Sequence, residues 1–209
     1  MAIQVSGTTV INDSRALTNI TSVDSTTATA IGNAGVGGGM TLLSTTTFSG
    51  TYSNIDLTLD SGYKFHRLVF SSPVPSTAWN ALWFQLLNSS NSAISSSIYD
   101  YNGEFSRSEW SDRQAGAARL TGSVFNNGST DYIVGHLDVY NARESGKQKH
   151  TVSRILGRSQ GYSGNSPQQH DAQARVNTTS VCNGIRIFGN GSNLATQSGR
   201  ADFFQIYGA

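Results

Sequence analysis

The side chains of this 209-residue chain best placed for chemistry are His136 and Asp138, two residues apart, and Ser159 within Gly157-Arg158-Ser159-Gln160-Gly161. On a strand, a spacing of two puts His136 and Asp138 on one face. A later His150 or His170 would then complete the two-histidine, one-carboxylate iron site that jelly-roll oxygenases use. An outward strand face accounts for the pair without metal. His150 also ends a hydrophilic run that starts at Asn141, and His170 follows Pro167 in a second polar stretch, so both are expected in loops. The G-x-S-x-G pattern requires a helix after the serine and a histidine after the acid. Here Tyr162-Ser163-Gly164-Asn165-Ser166-Pro167 follows, and no histidine lies beyond Asp171. Glu104, Glu109 and Asp112 read as loop solubilisers, because spacing alone cannot set two of them across a sugar. The glycine run from Gly35 lacks the Lys-Ser/Thr that closes a phosphate-binding loop. The expectation is a non-enzymatic protein with no catalytic residue, no metal and no cofactor.

What remains is an inventory suited to sugars, since aromatic faces stack on pyranose rings and amides bond hydroxyls. Trp110, Tyr162, Tyr99 and Tyr101 are the candidate glycan contacts, with Asn, Gln and Ser close by in sequence. Trp79 and Trp83, in Ala78-Trp79-Asn80-Ala81-Leu82-Trp83-Phe84, read as core residues, and His66 reads as a partly buried strand residue.

The elements that would position these groups are strands. Over 54–60, Ile55, Leu57 and Leu59 alternate strictly with polar residues, which describes a strand with one wet face. Comparable runs cover 63–70, 82–87, 97–101, 120–125, 132–140, 184–188 and 202–207, with turn signals such as Asp60-Ser61-Gly62, Asn102-Gly103 and Asn190-Gly191 between them. About eight short strands predict an all-β antiparallel sandwich or jelly roll. The one helix-compatible stretch, 107–119, is broken by Gly116 and has no apolar stripe, so it is expected to be a loop. In the 132–140 run, Tyr132, Val134, His136, Asp138 and Tyr140 share a half-apolar face. That composition suits a subunit interface formed by Tyr132, Val134, His136 and Tyr140; coverage within one sandwich explains it equally.

The first aromatic residue is Phe48, so all 20 Phe, Tyr and Trp lie in the rest of the chain. Residues 1–39 therefore lack the large side chains a core needs and read as an extended attachment arm closed by the Gly-rich run 32–39, with a sandwich body over 40–209. Fully extended, the arm would span on the order of 130 Å at ~3.3 Å per residue. A net charge of +1 with 13% charged residues leaves no electrostatic footprint for nucleic acid or an anionic membrane. No segment approaches a membrane-spanning apolar run, and the amino terminus lacks a secretion signal, so the product is expected to be made in the cytosol. The lone Cys182 excludes an intrachain disulfide.

Thr9-Val10-Ile11-Asn12-Asp13-Ser14-Arg15-Ala16-Leu17-Thr18-Asn19-Ile20 resembles a short repeat in the stems and attachment regions of bacteriophage tail-fibre and related virion proteins. The carboxyl end, Gly184-Ile185-Arg186-Ile187-Phe188 and then Ser198 through Phe203-Phe204-Gln205-Ile206-Tyr207-Gly208, is similar to the close of small β-sandwich phage structural domains. The two resemblances cover about a quarter of the chain. They imply a virion structural protein made in the bacterial cytoplasm, a homotrimer anchored to other virion proteins through Val10, Ile11, Leu17 and Ile20. Its body would contact host surface glycan as a tail fibre does, or cover the capsid as a decoration or connector protein.

Overall fold

Alternation of buried and exposed residues recurs along the body. In Asp202–Gly208 it is strict, with Asp202, Phe204, Ile206 and Gly208 buried and the residues between them half-buried. A computed structural model describes residues 3–5, 8–11, 39–72, 74–77, 80–105, 108–122, 133–158, 167–196 and 202–209. The chain divides into two units, Met1–Gly39 and Met40–Ala209. In the first, β1 (Ile3–Val5) and β2 (Thr8–Ile11) form an antiparallel hairpin that sets Val5 opposite Thr8 and Ile3 opposite Ile11. Val10 and Ile11 thus lie in β2, whereas Leu17 and Ile20 lie outside the described residues.

The second unit is an antiparallel β-sandwich. Its strands are β3 (Thr41–Phe48), β4 (Thr51–Tyr52), β5 (Asn54–Thr58), β6 (Phe65–Ser72), β7 (Val74–Pro75), β8 (Leu82–Leu87), β9 (Tyr99–Phe105) and β10 (Ser108–Ala115). They continue as β11 (Ala118–Arg119), β12 (Ile133–Tyr140), β13 (Lys149–Arg158), β14 (Pro167–Val176), β15 (Gly184–Gly189), β16 (Leu194–Ala195) and β17 (Asp202–Gly208). An eight-stranded sheet runs β10-β9-β14-β13-β12-β6-β17-β3, a four-stranded sheet runs β11-β8-β15-β5, and a small third sheet runs β4-β16-β7. The two larger sheets share one apolar core. Leu68, Phe70, Leu137, Ile155 and Phe204 come from the large sheet, and Ile55, Leu57, Phe84, Leu86 and Ile187 from the smaller. Phe84 meets Tyr99 edge to face at 6.0 Å, and Phe204 packs between Phe48 and Phe70 at 5.5 and 5.2 Å.

Several sequence expectations need correction. Segment 107–119 is not a loop; it carries β10 and β11. β10 is an edge strand whose Glu109, Ser111, Asp112 and Arg113 are exposed, so it needs no apolar stripe. The expected strand over 120–125 is absent from its described part. Leu120 and Thr121 are buried outside any strand and bond to the start of β8 through Leu120 N–H to Leu82 O (2.8 Å) and Leu82 N–H to Thr121 Oγ1 (2.9 Å). His150 and His170 lie in β13 and β14, not in loops. The polarity of these strands runs against the usual rule, which is why their sequence reads as loop. β13 buries Lys149, Thr151 and Ser153 while exposing Val152 and Leu156.

Candidate functional site

The four-stranded sheet covers only the inner face of the large sheet. On the outer face, register lines side chains into continuous rows. One row crosses all eight strands: Ser111, Asn102, Gln173, Val152, Asp138, Arg67, Tyr207 and Leu42. A neighbouring row reads Glu109, Glu104, Asp171, Arg154, His136, Val69, Gln205 and Thr45. Among the described residues, four of the five exposed large apolar side chains, Leu42, Tyr140, Val152 and Leu156, lie on this face.

The face has two halves of different character. Over β12, β6 and β17 it is apolar with its charge neutralised. Phe65 packs on Tyr140 at 5.0 Å, Val134 lies opposite Leu156 on one side and Ser71 on the other, and Phe203 lies beside Ser71. Asp138, whose carboxylate lies in this half, receives both Arg67 Nε (2.6 Å) and Arg67 Nη2 (2.7 Å), a fork that satisfies both oxygens. The Asp138 carboxylate holds the Arg67 guanidinium above its ordinary range. Removing Arg67 would leave a side chain only 8% exposed with an uncompensated charge. Arg67→Ala is expected to lower stability by about 2–3 kcal/mol, short of the ~3–5 of a fully buried pair because Arg67 itself is partly solvated. The midpoint of urea unfolding measures the loss.

Over β10, β9, β14 and β13 the face is polar and hollow. A concavity of about 930 Å³ is lined by Asn102, Glu104, Glu109, Ser111, His136, Val152, Arg154, Asp171 and Gln173, among others. A second hollow of about 430 Å³ adjoins it and shares Asn102, Ser111, Val152 and Gln173. Beneath them the inward residues are small: Thr151, Ser153, Ala172 and Ala174 are all buried. Arg154 Nε donates to Asp171 Oδ1 at 3.0 Å, and Gln169 Nε2 donates to Asp171 Oδ2 at 2.6 Å. Arg175 Nη2 and Asn177 Nδ2 both donate to Asp100 Oδ2, at 2.6 and 3.1 Å, and these bonds, the Arg175 one foremost, hold the Asp100 carboxyl below its usual range.

Of the residues singled out by sequence, Val134, His136 and Tyr140 share this outer face; Tyr132 lies outside the described residues. The glycan candidates are not brought together. Tyr99 is fully buried, its hydroxyl donating to Ile94 O (3.0 Å) and accepting from Leu86 N–H (2.8 Å), and burial pushes its phenol up. Tyr101 faces the core with 9% exposure and meets Trp83 edge to face at 5.8 Å, so neither tyrosine offers a face to a sugar. Trp110 lies in β10 opposite Gly103, and Tyr162 and Trp79 lie outside the described residues. The residues that line the hollow instead, Asn102, Gln173, Arg154 and Asp171, carry one usable signal. Tyr99 and Tyr101 alternate with Asp100, Asn102 and Glu104, and period 2 sends those polar side chains outward.

No metal-ligand set forms around His136 and Asp138, because Arg67 occupies both oxygens of Asp138. Among the described residues no group of three His, Cys, Asp or Glu stands ready to hold a metal ion. His170 is wholly buried, with its Nδ1 accepting the Gly122 N–H at 3.0 Å. Gly157 sits within β13, whereas Ser159 lies outside the described residues. Cys182 is buried, and burial pushes its thiol up. Among the described residues no helix is long and apolar enough to cross a membrane. No family model, curated protein or solved structure matches the chain.

Proposed function

We propose that this chain is a non-enzymatic virion structural protein of bacteriophage, a homotrimeric tail fibre or fibre-like receptor-binding protein. Residues 1–39 attach it to other virion proteins, and the body contacts glycan on the host surface. The observation that carries the reading is the outer face of the eight-stranded sheet, which no described strand of the body covers and which pairs an apolar, charge-neutralised half with a polar hollow. The first half has the composition of a subunit interface, aromatic and depleted of unpaired charge. The second has the size of a ligand site, and its amide and hydroxyl lining can bond sugar hydroxyls. Three copies per fibre, and many fibres per particle, convert weak single-site binding into firm adhesion. Purified full-length protein is expected to bind cells of a susceptible bacterium and to compete with the phage for adsorption. A protein that binds no cell surface yet coats purified capsids would replace this reading with the next.

The alternative is a capsid decoration or connector protein, and the edge strand β3 favours it. β10, at the other edge of the same sheet, is blunted by Glu109, Asp112 and Arg113 and by a register shift at Gln114, whose φ is 54°. β3 is eight residues long with no charge and no proline, and it borders a cleft of about 370 Å³ lined by Leu43, Ser44, Thr46, Leu57 and Ile206, among others. An unblunted edge accepts a strand from a neighbouring subunit.

A further inference from the structure

The hollow over β10, β9, β14 and β13 is, we infer, a groove for a short neutral oligosaccharide that excludes acidic sugars. This rests on the glycan contact proposed above and supplies its ligand class and its residues. The two hollows share Asn102, Ser111, Val152 and Gln173, so they form one groove that crosses successive register rows along the strands. Rows two residues apart are separated by about 6.6 Å, so three rows accommodate more than a single ring.

The middle row, Ser111, Asn102 and Gln173, consists of groups that both donate and accept, as a sugar hydroxyl does. At its end Val152, 46% exposed, gives the apolar C–H face of a pyranose something to rest on. All of these sit on paired strands, which hold them in place before the ligand arrives.

The flanking charges set the selectivity. The groove is lined by five carboxylates (Glu104, Glu109, Asp171, Asp100 and Asp112) and three guanidiniums (Arg154, Arg113 and Arg175). Arg154 and Arg175 already pair with Asp171 and Asp100. Glu109 lies directly opposite Glu104, and Glu104 directly opposite Asp171. Like charges placed so carry a cost, and here they surround neutral hydrogen-bonding groups, where they accept from hydroxyls and repel uronate, sialate, sulfate and phosphate.

The test uses the full chain on two immobilised panels. One holds neutral oligosaccharides of glucose, galactose, mannose and N-acetylhexosamine; the other holds polygalacturonate, hyaluronate and dextran sulfate. The protein is expected to be retained on at least one neutral sugar and on none of the acidic ones. Asn102→Ala and Gln173→Ala should each weaken that retention about tenfold while thermal midpoint and solution mass stay unchanged. The Glu104→Gln/Glu109→Gln double variant should admit acidic sugars. Equal retention on acidic sugars, undiminished binding by both alanine variants, or no retention on any neutral sugar overturns the groove. If that happens while the trimer still adheres to cells, the groove alone fails and the attachment reading stands. A protein that neither trimerises nor adheres overturns the attachment reading.

Discussion

Acidification from pH 7 to pH 4 is expected to remove on the order of 3 kcal/mol of stability through His170 alone. Burial, followed by the Arg119 charge, pushes the His170 imidazole down to about 3 from its usual 6.5. The geometry agrees, because Nδ1 accepts the Gly122 N–H and therefore carries no proton in the fold. Protonating it would set one N–H against another inside the sandwich. The unfolded chain binds that proton below pH 6.5 and the folded chain does not, so stability is fully present above 6.5 and is lost as pH falls toward 3. His66 works in the same direction, its imidazole pushed down mainly by burial while it bonds Asp60 O at 3.0 Å. Urea midpoints at pH 7, 5.5 and 4 measure the slope. His170→Asn, whose Oδ1 can take the Gly122 bond, should retain only the shallower slope left by the other titrating groups. A variant as acid-sensitive as the parent would show that His170 is not the group responsible.

The other large effect is on assembly. Val134 is half-buried in the single chain and flanked by Leu156, so in the proposed trimer its side chain would serve contact between copies more than the core. Val134→Lys should leave the fold intact, since the lysine can reach solvent when no neighbour covers it. In a trimer closed over this face the same lysine would be trapped without a partner, at a cost of several kcal/mol. About 2.7 kcal/mol already weakens association a hundredfold, so the variant is expected to elute as a folded monomer. Lys at Thr58, an exposed position on β5 in the four-stranded sheet, is the matched control and should leave the oligomer unchanged.

The strands that obey the period-2 rule are legible in the sequence. Ile55 and Leu57 alternate with polar residues, Ile185 and Ile187 flank Arg186, Phe204 and Ile206 flank Gln205, and all six form the core. The common outward face of Val134, His136 and Tyr140 is legible for the same reason. β13 and β14 are not, because their buried rows are polar or small, with Lys149, Thr151, Ser153, Gln168, His170 and Ala172 inside. Lys149 shows how such a residue is tolerated. Its ammonium donates to the carbonyls of Glu144 and Lys147, although burial still pushes its pKa down. Those two strands form much of the floor of the polar hollow, so the segment that breaks the pattern is also the one that shapes the candidate site. Residue type alone draws Tyr99 and Tyr101 to the sugar hypothesis, whereas their alternation with Asp100 and Asn102 sends them inward.

The central claim is that the body assembles through the outer face of its large sheet, and solution mass by light scattering tests it most directly. The account predicts a species of three times 22.3 kDa for the full chain, a trimer again for a chain starting at Met40, and a monomer for Val134→Lys. A full chain that remains at 22.3 kDa up to tens of micromolar would contradict it.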